Sequence, residues 1–422
     1  MQLPKLVKRA ILQGKLSGIG KMSASTNKPP DARPTVMFNW QPSSYFGWGV
    51  YGLNLMLHWA RRSDLSLCCA LPIRNDHLTL NAVERMVIDT VLQHSRDAYS
   101  RLSAVSGPVQ VSCVVLDALG NNLTNTSGTA RPRLVGSPSI GMVFFESTHF
   151  DKVGLERAQL YPLIVAGSTW NREILAQFGI NHVQTLLQGV DTTHFHPAPR
   201  AGLFSGRFVV FSGGKLERRK GQDLVLLAFN LFAQRHPEAL LITAWSSPFP
   251  QVAQSIKENR SVAPVPFRRD GQPDMLAWAV ANGISEHQVL NLGPVPNANM
   301  PRILREVDVA LFPNRAEGGT NLVAMECMAC GVPTILSANT GHLDLIRDGN
   351  CYALTRQQQL ADPQCQGWGE SDIEEIVETL EAVYHDRSEA QQRGRRGAEM
   401  LAELSWGHQL DTLAEVVRPY LN

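Results

Sequence analysis

Two stretches hold residue types whose spacing could do chemistry on a phosphorylated ligand. The first is Ser212-Gly-Gly-Lys-Leu-Glu-Arg-Arg-Lys-Gly221, which places Lys215, Arg218, Arg219 and Lys220 in a loop bounded by glycines. Backbone donors freed by glycine, joined to cationic side chains, suit a diphosphate. Taken alone, the stretch also reads as a solvated basic turn. The second is VDVALFPNRAEGGTNLVAMECMACGVPTILS, residues 307–337. In it Glu317, Gly318, Gly319 and Thr320 precede an apolar stretch that contains Glu326. A helix N-terminus carries unpaired N–H groups and partial positive charge, so an anion is favoured there. Carboxylates beside such a site do not bind the anion. They suit the hydroxyls of a sugar attached to it.

The elements that must position these residues can be read around them. Residues 307–312 form an apolar strand that Pro313 stops. Residues 314–320 are a loop, and Thr320 is placed to cap a helix over 321–330. Gly331 fits the position just past that helix, with Pro333 following. Residues 332–336 are the next strand. The basic loop has the same setting, between a strand at 208–211 and a helix at 222–235. A strand at 289–292 ends at Gly293. All these loops then lie at the carboxyl edge of one parallel sheet, where open α/β sheets bind ligands.

Strand and helix alternate from Pro34 almost to the end, which predicts an α/β chain with parallel sheets. The first strand, 35–40, enters the glycine-rich turn Gly47-Trp48-Gly49-Val-Tyr-Gly52, followed by a helix over 53–62. Close helix–sheet packing would explain those glycines equally well. A helix over 80–94 and strands at 65–71, 109–116, 140–145, 163–166 and 183–187 complete the first half. The strand ending at Phe145 leads into Glu146-Ser-Thr-His149, so Glu146, Thr148 and His149 are candidates at a ligand-facing edge, with cap or surface roles the alternative. Residues 191–206 carry no regular pattern and include Pro197 and Pro199, which reads as a linker. The expected division is a basic tail at 1–33, an acceptor-side domain at 34–195, a nucleotide-sugar domain at 196–404 and a last helix at 405–422.

Composition narrows the class. The chain has 422 residues, is 44% hydrophobic and carries a net charge of +1, so nothing points to nucleic acid as partner. Seven dispersed cysteines fit a reducing compartment, hence the cytoplasm. Cys327 and Cys330 make a C-x-x-C inside the expected helix, without a second pair at zinc spacing, and read as packing. No run of 18 apolar residues occurs, so no transmembrane helix is expected. Residues 1–30 are basic, with Lys5, Lys8, Arg9, Lys15 and Lys21 and no acid before Asp31. They read either as a tail or as an amphipathic segment resting on the inner, anionic membrane face.

The second half resembles the nucleotide-sugar domain of the retaining glycosyltransferases of family four, which have the GT-B fold: two doubly wound Rossmann-like domains facing a cleft. The loop 211–221 is similar to the family's glycine–arginine–lysine loop. The stretch from Glu317 through Glu326 to Pro333 is similar to its paired-glutamate motif. Gly189-Val-Asp-Thr-Thr-His-Phe-His-Pro197 looks like its interdomain hinge. The resemblance implies that Lys220 holds the donor diphosphate, Glu317 contacts sugar hydroxyls and Glu326 holds the ribose. The donor site so implied takes in Gly213, Gly214, Lys215, Gly293, Gly318, Gly319, Thr320 and Asn321 as well. Gly47, Trp48 and Gly49 would border it from the other domain. Glu146 by strand position, or His149 by residue type, would take the place of a family histidine on the acceptor side. Two departures stand out. Lys215 replaces the usual arginine, and eight residues separate the glutamates where seven are usual.

The reaction implied is retaining transfer of a sugar from a nucleoside-diphosphate sugar to a hydroxyl of a glycan or lipid-linked acceptor, with no cofactor and no metal. A nucleotide-sugar epimerase, an NAD-dependent oxidoreductase and a non-catalytic sugar-binding protein are the rivals. Against the oxidoreductase, no G-x-G-x-x-G follows a strand with an acid about 20 residues on.

Overall fold

The structure is a computed structural model and describes residues 20–21, 33–125, 134–247, 249–259 and 261–421. The basic segment at 1–30 lies outside the described residues apart from Gly20 and Lys21. Two six-stranded parallel sheets dominate. The first holds β1 (Thr35–Phe38), β2 (Ser66–Cys69), β3 (Val114–Leu119), β4 (Ser139–Val143), β5 (Ile164–Ala166) and β6 (Val183–Thr185), ordered β2-β1-β3-β4-β5-β6. The second holds β7 (Phe208–Gly214), β8 (Ala239–Trp245), β9 (Val289–Asn291), β10 (Val309–Phe312), β11 (Thr334–Ser337) and β12 (Tyr352–Leu354), ordered β9-β8-β7-β10-β11-β12. Both are doubly wound orders. Each reverses direction once, and a crevice opens at that switch point beyond the carboxyl ends of the strands.

In the second sheet the reversal falls between β7 and β10. Val210 pairs with Val309 and Phe211 with Ala310, so the loops leaving these two strands emerge side by side. Both strands are buried apolar runs, and this burial fixes them in the sheet centre. Five helices matter below: α1 (Gly47–Trp59), α2 (Ala82–Ser103), α3 (Gln222–Ala233), α4 (Leu322–Ala329) and α5 (Trp406–Val417). Helix α4 is buried on almost every face and ends as expected. Gly331 has φ +77, its N–H donates to Met328 O, and the Val332 N–H donates to Cys327 O.

Several boundaries differ from the sequence expectation. Helix α1 begins at Gly47, so the glycine run is helical. A Cβ on Gly49 would meet Ser43 Cβ at 2.4 Å, and one on Gly52 would meet Trp40 Nε1 at 2.8 Å. These glycines let the helix press against the loop that follows β1. Helix α2 starts at Ala82, where Asn81 and Glu84 form a capping box, and continues to Ser103 because Ser95, Ala98 and Leu102 extend its buried stripe. The expected strand at 109–116 breaks in two. Val109–Gln110 pairs elsewhere and β3 starts at Val114. A helix at Lys152–Ala158 and an antiparallel pair, Gln357–Gln359 with Gly369–Ser371, were not expected. Each is too short to show a period.

The chain passes between the sheets in residues 186–207, and α5 packs on α1. The Trp59 indole donates to Leu410 O at 3.0 Å, and the Trp406 ring meets Tyr51 edge-on at 5.1 Å. The two crossings are bonded to each other: Val190 N–H donates to Leu404 O, and Trp406 N–H donates to Val190 O. Among the described residues no helix is long and apolar enough to cross a membrane.

Candidate donor-binding cleft

A cleft of about 500 Å³ lies between the carboxyl edges of the two sheets. The β7–α3 loop and the β10–α4 loop form one wall. Gly47, Trp48, Phe144 and Glu146 form the other. The two loops of the first wall are tied together. Gly221 has φ +68, and a Cβ there would lie 2.1 Å from Pro313 O. The Arg315 N–H donates to Arg219 O at 2.7 Å. Its guanidinium donates to Arg218 O at 2.6 Å and makes a two-pronged contact with Asp223 at 2.8 and 2.6 Å. Arg315 and Asp223 are both fully buried. Glu370 accepts from the remaining edge of the guanidinium.

This clasp sets the charges in the cleft. Lys220 Nζ contacts Glu317 Oε1, Arg219 bridges to Glu317 at 3.1 Å and to Glu217 at 2.7 Å, and Lys215 pairs with Glu217 at 2.9 Å. From across the cleft Glu146 reaches Arg219 at 3.3 Å. Burial works against the charge on Glu317, but Lys220 and Arg219 outweigh it and hold the carboxyl at about 2. Burial pulls the Lys220 ammonium below its ordinary value, an effect the Glu317 carboxylate offsets in part. Asn314 also donates to Glu317, and the Glu317 N–H donates to the Thr340 hydroxyl at 2.8 Å. Glu317 is thus an ionised carboxylate fixed from several sides.

Glu326 is held differently. It projects from α4 toward the cleft, and burial pushes it up to about 8, with the Asn297 amide that donates to it offsetting little. At neutral pH it is a neutral acid. Its pKa lies above the ordinary 4.5, so the stability it contributes is full below 4.5 and is lost as pH rises toward 8. Glu326→Gln should remove this dependence. Urea unfolding from pH 5 to 8 should show the wild type losing stability relative to the variant, by up to about 1.4 kcal/mol per pH unit. Parallel curves would overturn the assignment.

The structure brings most of the expected residues together. Gly214, Lys215, Lys220, Gly293, Glu317, Gly318, Gly319, Asn321 and Glu326 line the cleft, as do Gly47, Trp48 and Glu146. Four do not. Gly213 lies in β7, under Val323, where a Cβ would meet Cγ1 at 2.8 Å. Gly49 faces Ser43. Thr320 is fully buried and bonds Met325 Sδ, so it caps nothing. The N-cap is Asn321, with φ +65 and its side chain donating to His342 Nε2. His342 stays neutral, pulled down to about 4 by burial, and its Nδ1–H faces Ser337 O. His149 sits in a neighbouring depression with Asn122, Asp362 and Trp368. Between Glu146 and His149, only Glu146 reaches the cleft. Gly318 and Gly319 do more than free backbone donors: Phe144 lies against both, closer than a Cβ would allow.

Sequence reasoning counted Arg219 only among the cations of the basic loop and gave no role to Arg315, Asn297 or His342. Arg315 could have been noticed as a charge set between a buried strand and the glycine loop. Nothing in the Pro-Asn-Ala-Asn run around Asn297 marks it as the partner of Glu326.

Residues 206–366 match the family model described as glycosyl transferases group 1. The D-inositol 3-phosphate glycosyltransferase of Nocardia farcinica is 27% identical over 255 residues, covering 58% of this chain and 49% of that protein. The GDP-mannose-dependent alpha-(1-6)-phosphatidylinositol monomannoside mannosyltransferase of Mycolicibacterium smegmatis is 27% identical over 181 residues, covering 40% and 41%. The chain therefore spans about half or less of the length of these relatives. Among solved structures, Anabaena HepE in complex with UDP superposes with a TM-score of 0.58 at 14% identity, over 91% of this chain and 100% of that one. Sucrose-phosphate synthase from Thermosynechococcus elongatus gives 0.60 at 14%, over 92% and 99%. The two facing doubly wound sheets are the GT-B fold, and residues 206–366 within it are similar to the group 1 glycosyl transferases.

Proposed function

We propose that the chain transfers a sugar from a nucleoside-diphosphate sugar to a hydroxyl acceptor with retention of anomeric configuration. The observation that carries this reading is the Lys220–Glu317–Arg219 cluster, set at the sheet's switch point beside the N-terminus of α4. Lys220, Arg219 and the free N–H groups of the first turn of α4 would neutralise the departing diphosphate. Glu317, kept ionised and fixed, would accept hydrogen bonds from the sugar hydroxyls. Glu326, beside Asn297, would meet the ribose. Loops from both sheets wall the cleft, which favours exclusion of water from the reacting centre. The scheme calls for no metal and no cofactor.

A hydroxyl on a polyol or glycan is the acceptor class this reading favours. The relatives named above are an inositol phosphate glycosyltransferase and a phosphatidylinositol mannoside mannosyltransferase. A cytoplasmic enzyme touching the inner membrane face through residues 1–30 belongs to the same proposal. Liposome flotation with and without that segment tests it, and equal partitioning would refute it.

The donor reading is tested by titration calorimetry with UDP, GDP, CMP and NAD, on the wild type and Glu326→Ala. One nucleoside diphosphate should bind, and the variant should bind it at least tenfold more weakly. A folded protein that binds NAD alone, or none of the four, would sink the proposal.

A further inference from the structure

The cleft is balanced in charge before any ligand enters. Lys215, Arg219 and Lys220 supply three cations, and Glu146, Glu217 and Glu317 three carboxylates, all joined in one network. A nucleoside-diphosphate sugar brings two further negative charges to this place. Either a carboxylate swings away, a cation joins, or a carboxylate takes up a proton.

The three carboxylates are not equivalent. Glu317 has Lys220, Arg219 and the Asn314 amide. Glu217 lies between Lys215 and Arg219. Glu146 has one cationic contact, to Arg219, and at 3.3 Å it is the longest of the set. It also stands on the opposite sheet, so it faces the incoming diphosphate rather than flanking it. Its backbone is pinned on both sides. Its N–H donates to Asn121 Oδ1, and its carbonyl accepts from the Trp368 indole, both at 2.8 Å. These bonds hold the Glu146 backbone in the cleft wall, so the carboxyl can leave the diphosphate only by rotation of its own side chain.

The charged groups around Glu146 are Arg219, Lys215 and Glu217 on the β7–α3 loop and Glu317 on the β10–α4 loop. On its own loop stands His149. Beyond it Arg218 and Asp362 pair with each other at 3.3 Å. Burial already raises the Glu146 carboxyl above its ordinary value, and Arg219 only partly offsets this. A diphosphate that draws Arg219 toward itself removes that offset and adds an anion.

We propose that Glu146 takes up one proton from solvent when the donor diphosphate binds, becoming a neutral acid that faces the donor across the cleft. This rests on the donor reading above. It adds that binding and protonation are linked, and that Glu146 then donates a hydrogen bond where it could previously only accept one.

The test is calorimetry of UDP-glucose and GDP-mannose binding at pH 7, with chelator, in Tris, HEPES and PIPES. These diphosphate diesters do not titrate near neutrality, so a dependence on buffer ionisation enthalpy counts protons moved by the protein. For whichever donor binds, uptake should approach one proton per site. Affinity should fall as pH rises, and more steeply in the wild type than in Glu146→Gln. Glu146→Gln should still bind and lose most of the uptake, which separates Glu146 from Glu326. Donor binding with no buffer dependence in the wild type, or equal uptake in Glu146→Gln, would overturn the proposal. Should that variant fail to fold, Glu146→Ala takes its place in the same titration, and equal uptake in it would overturn the proposal. No binding of either donor by folded protein would sink the donor reading instead.

Discussion

Lys220→Ala should lower kcat/KM for transfer by about two to three orders of magnitude, the loss seen when a fixed charge-stabilising group is removed. Two effects combine. The departing diphosphate would lose the Lys220 ammonium, which is more buried in the cleft than that of Lys215. Glu317 would also lose its closest cation and keep only Arg219 and Asn314. Its carboxyl would rise from about 2, because burial would then be less well opposed. The variant should therefore lose activity with a new acid limb in its pH profile. Initial rates from pH 4 to 8 with the donor identified by calorimetry would show this. A loss of less than tenfold would remove Lys220 from the chemistry. Lys220→Arg should not restore the rate, since a planar fork does not fill the place of a compact ammonium.

Arg315→Met should cost about 3–5 kcal/mol of stability, the range for breaking a buried ion pair from one side. Asp223 is fully buried and would be left with the Asn259 amide, and the Arg218 carbonyl would keep the Gly221 N–H but lose the guanidinium. A lowered urea midpoint with unchanged slope would report it. Removing both partners, as in Asp223→Leu with Arg315→Met, should recover much of that loss, because apolar replacements of a buried pair are often neutral. Activity should not return with the stability. The loop carrying Arg219 and Lys220 would still lack the guanidinium that holds it. Full recovery of kcat/KM in the double variant would show that Arg315 serves stability alone.

Much of this architecture was legible because it rests on local signals. An apolar run stopped by Pro313 gave β10, and Gly331 with Pro333 gave the end of α4. The basic loop between β7 and α3 was placed by a buried strand on one side and an amphipathic helix on the other. The start of α4 was misread at Thr320 because the hydroxyl turns inward to a methionine sulfur while Asn321 adopts a left-handed backbone. Propensity does not foresee that. His149 was misplaced for a similar reason. Its N–H bonds the Ser147 hydroxyl in a tight turn that leaves Glu146 behind in the cleft. The clasp of Arg315 on Asp223 and the reach of Glu146 to Arg219 join residues far apart in sequence. They depend on which strands become neighbours and on how the two sheets face each other, and a pattern of nearby residues carries neither.

The bonding of Val190 to Leu404 and Trp406 has a mechanical consequence. The polypeptide passes between the lobes at two places, and those places are fastened to one another. Two separate tethers would allow sliding and twisting. Two tethers fused at a point allow mainly a swing, as covers turn on a spine. Such a swing would part Glu146 from Arg219, the Ser168 hydroxyl from Gly318 O and Thr148 from Gln366 O, all of which bridge the lobes. The side farthest from the spine would gape widest, so a donor could enter and a spent nucleotide leave by the same edge.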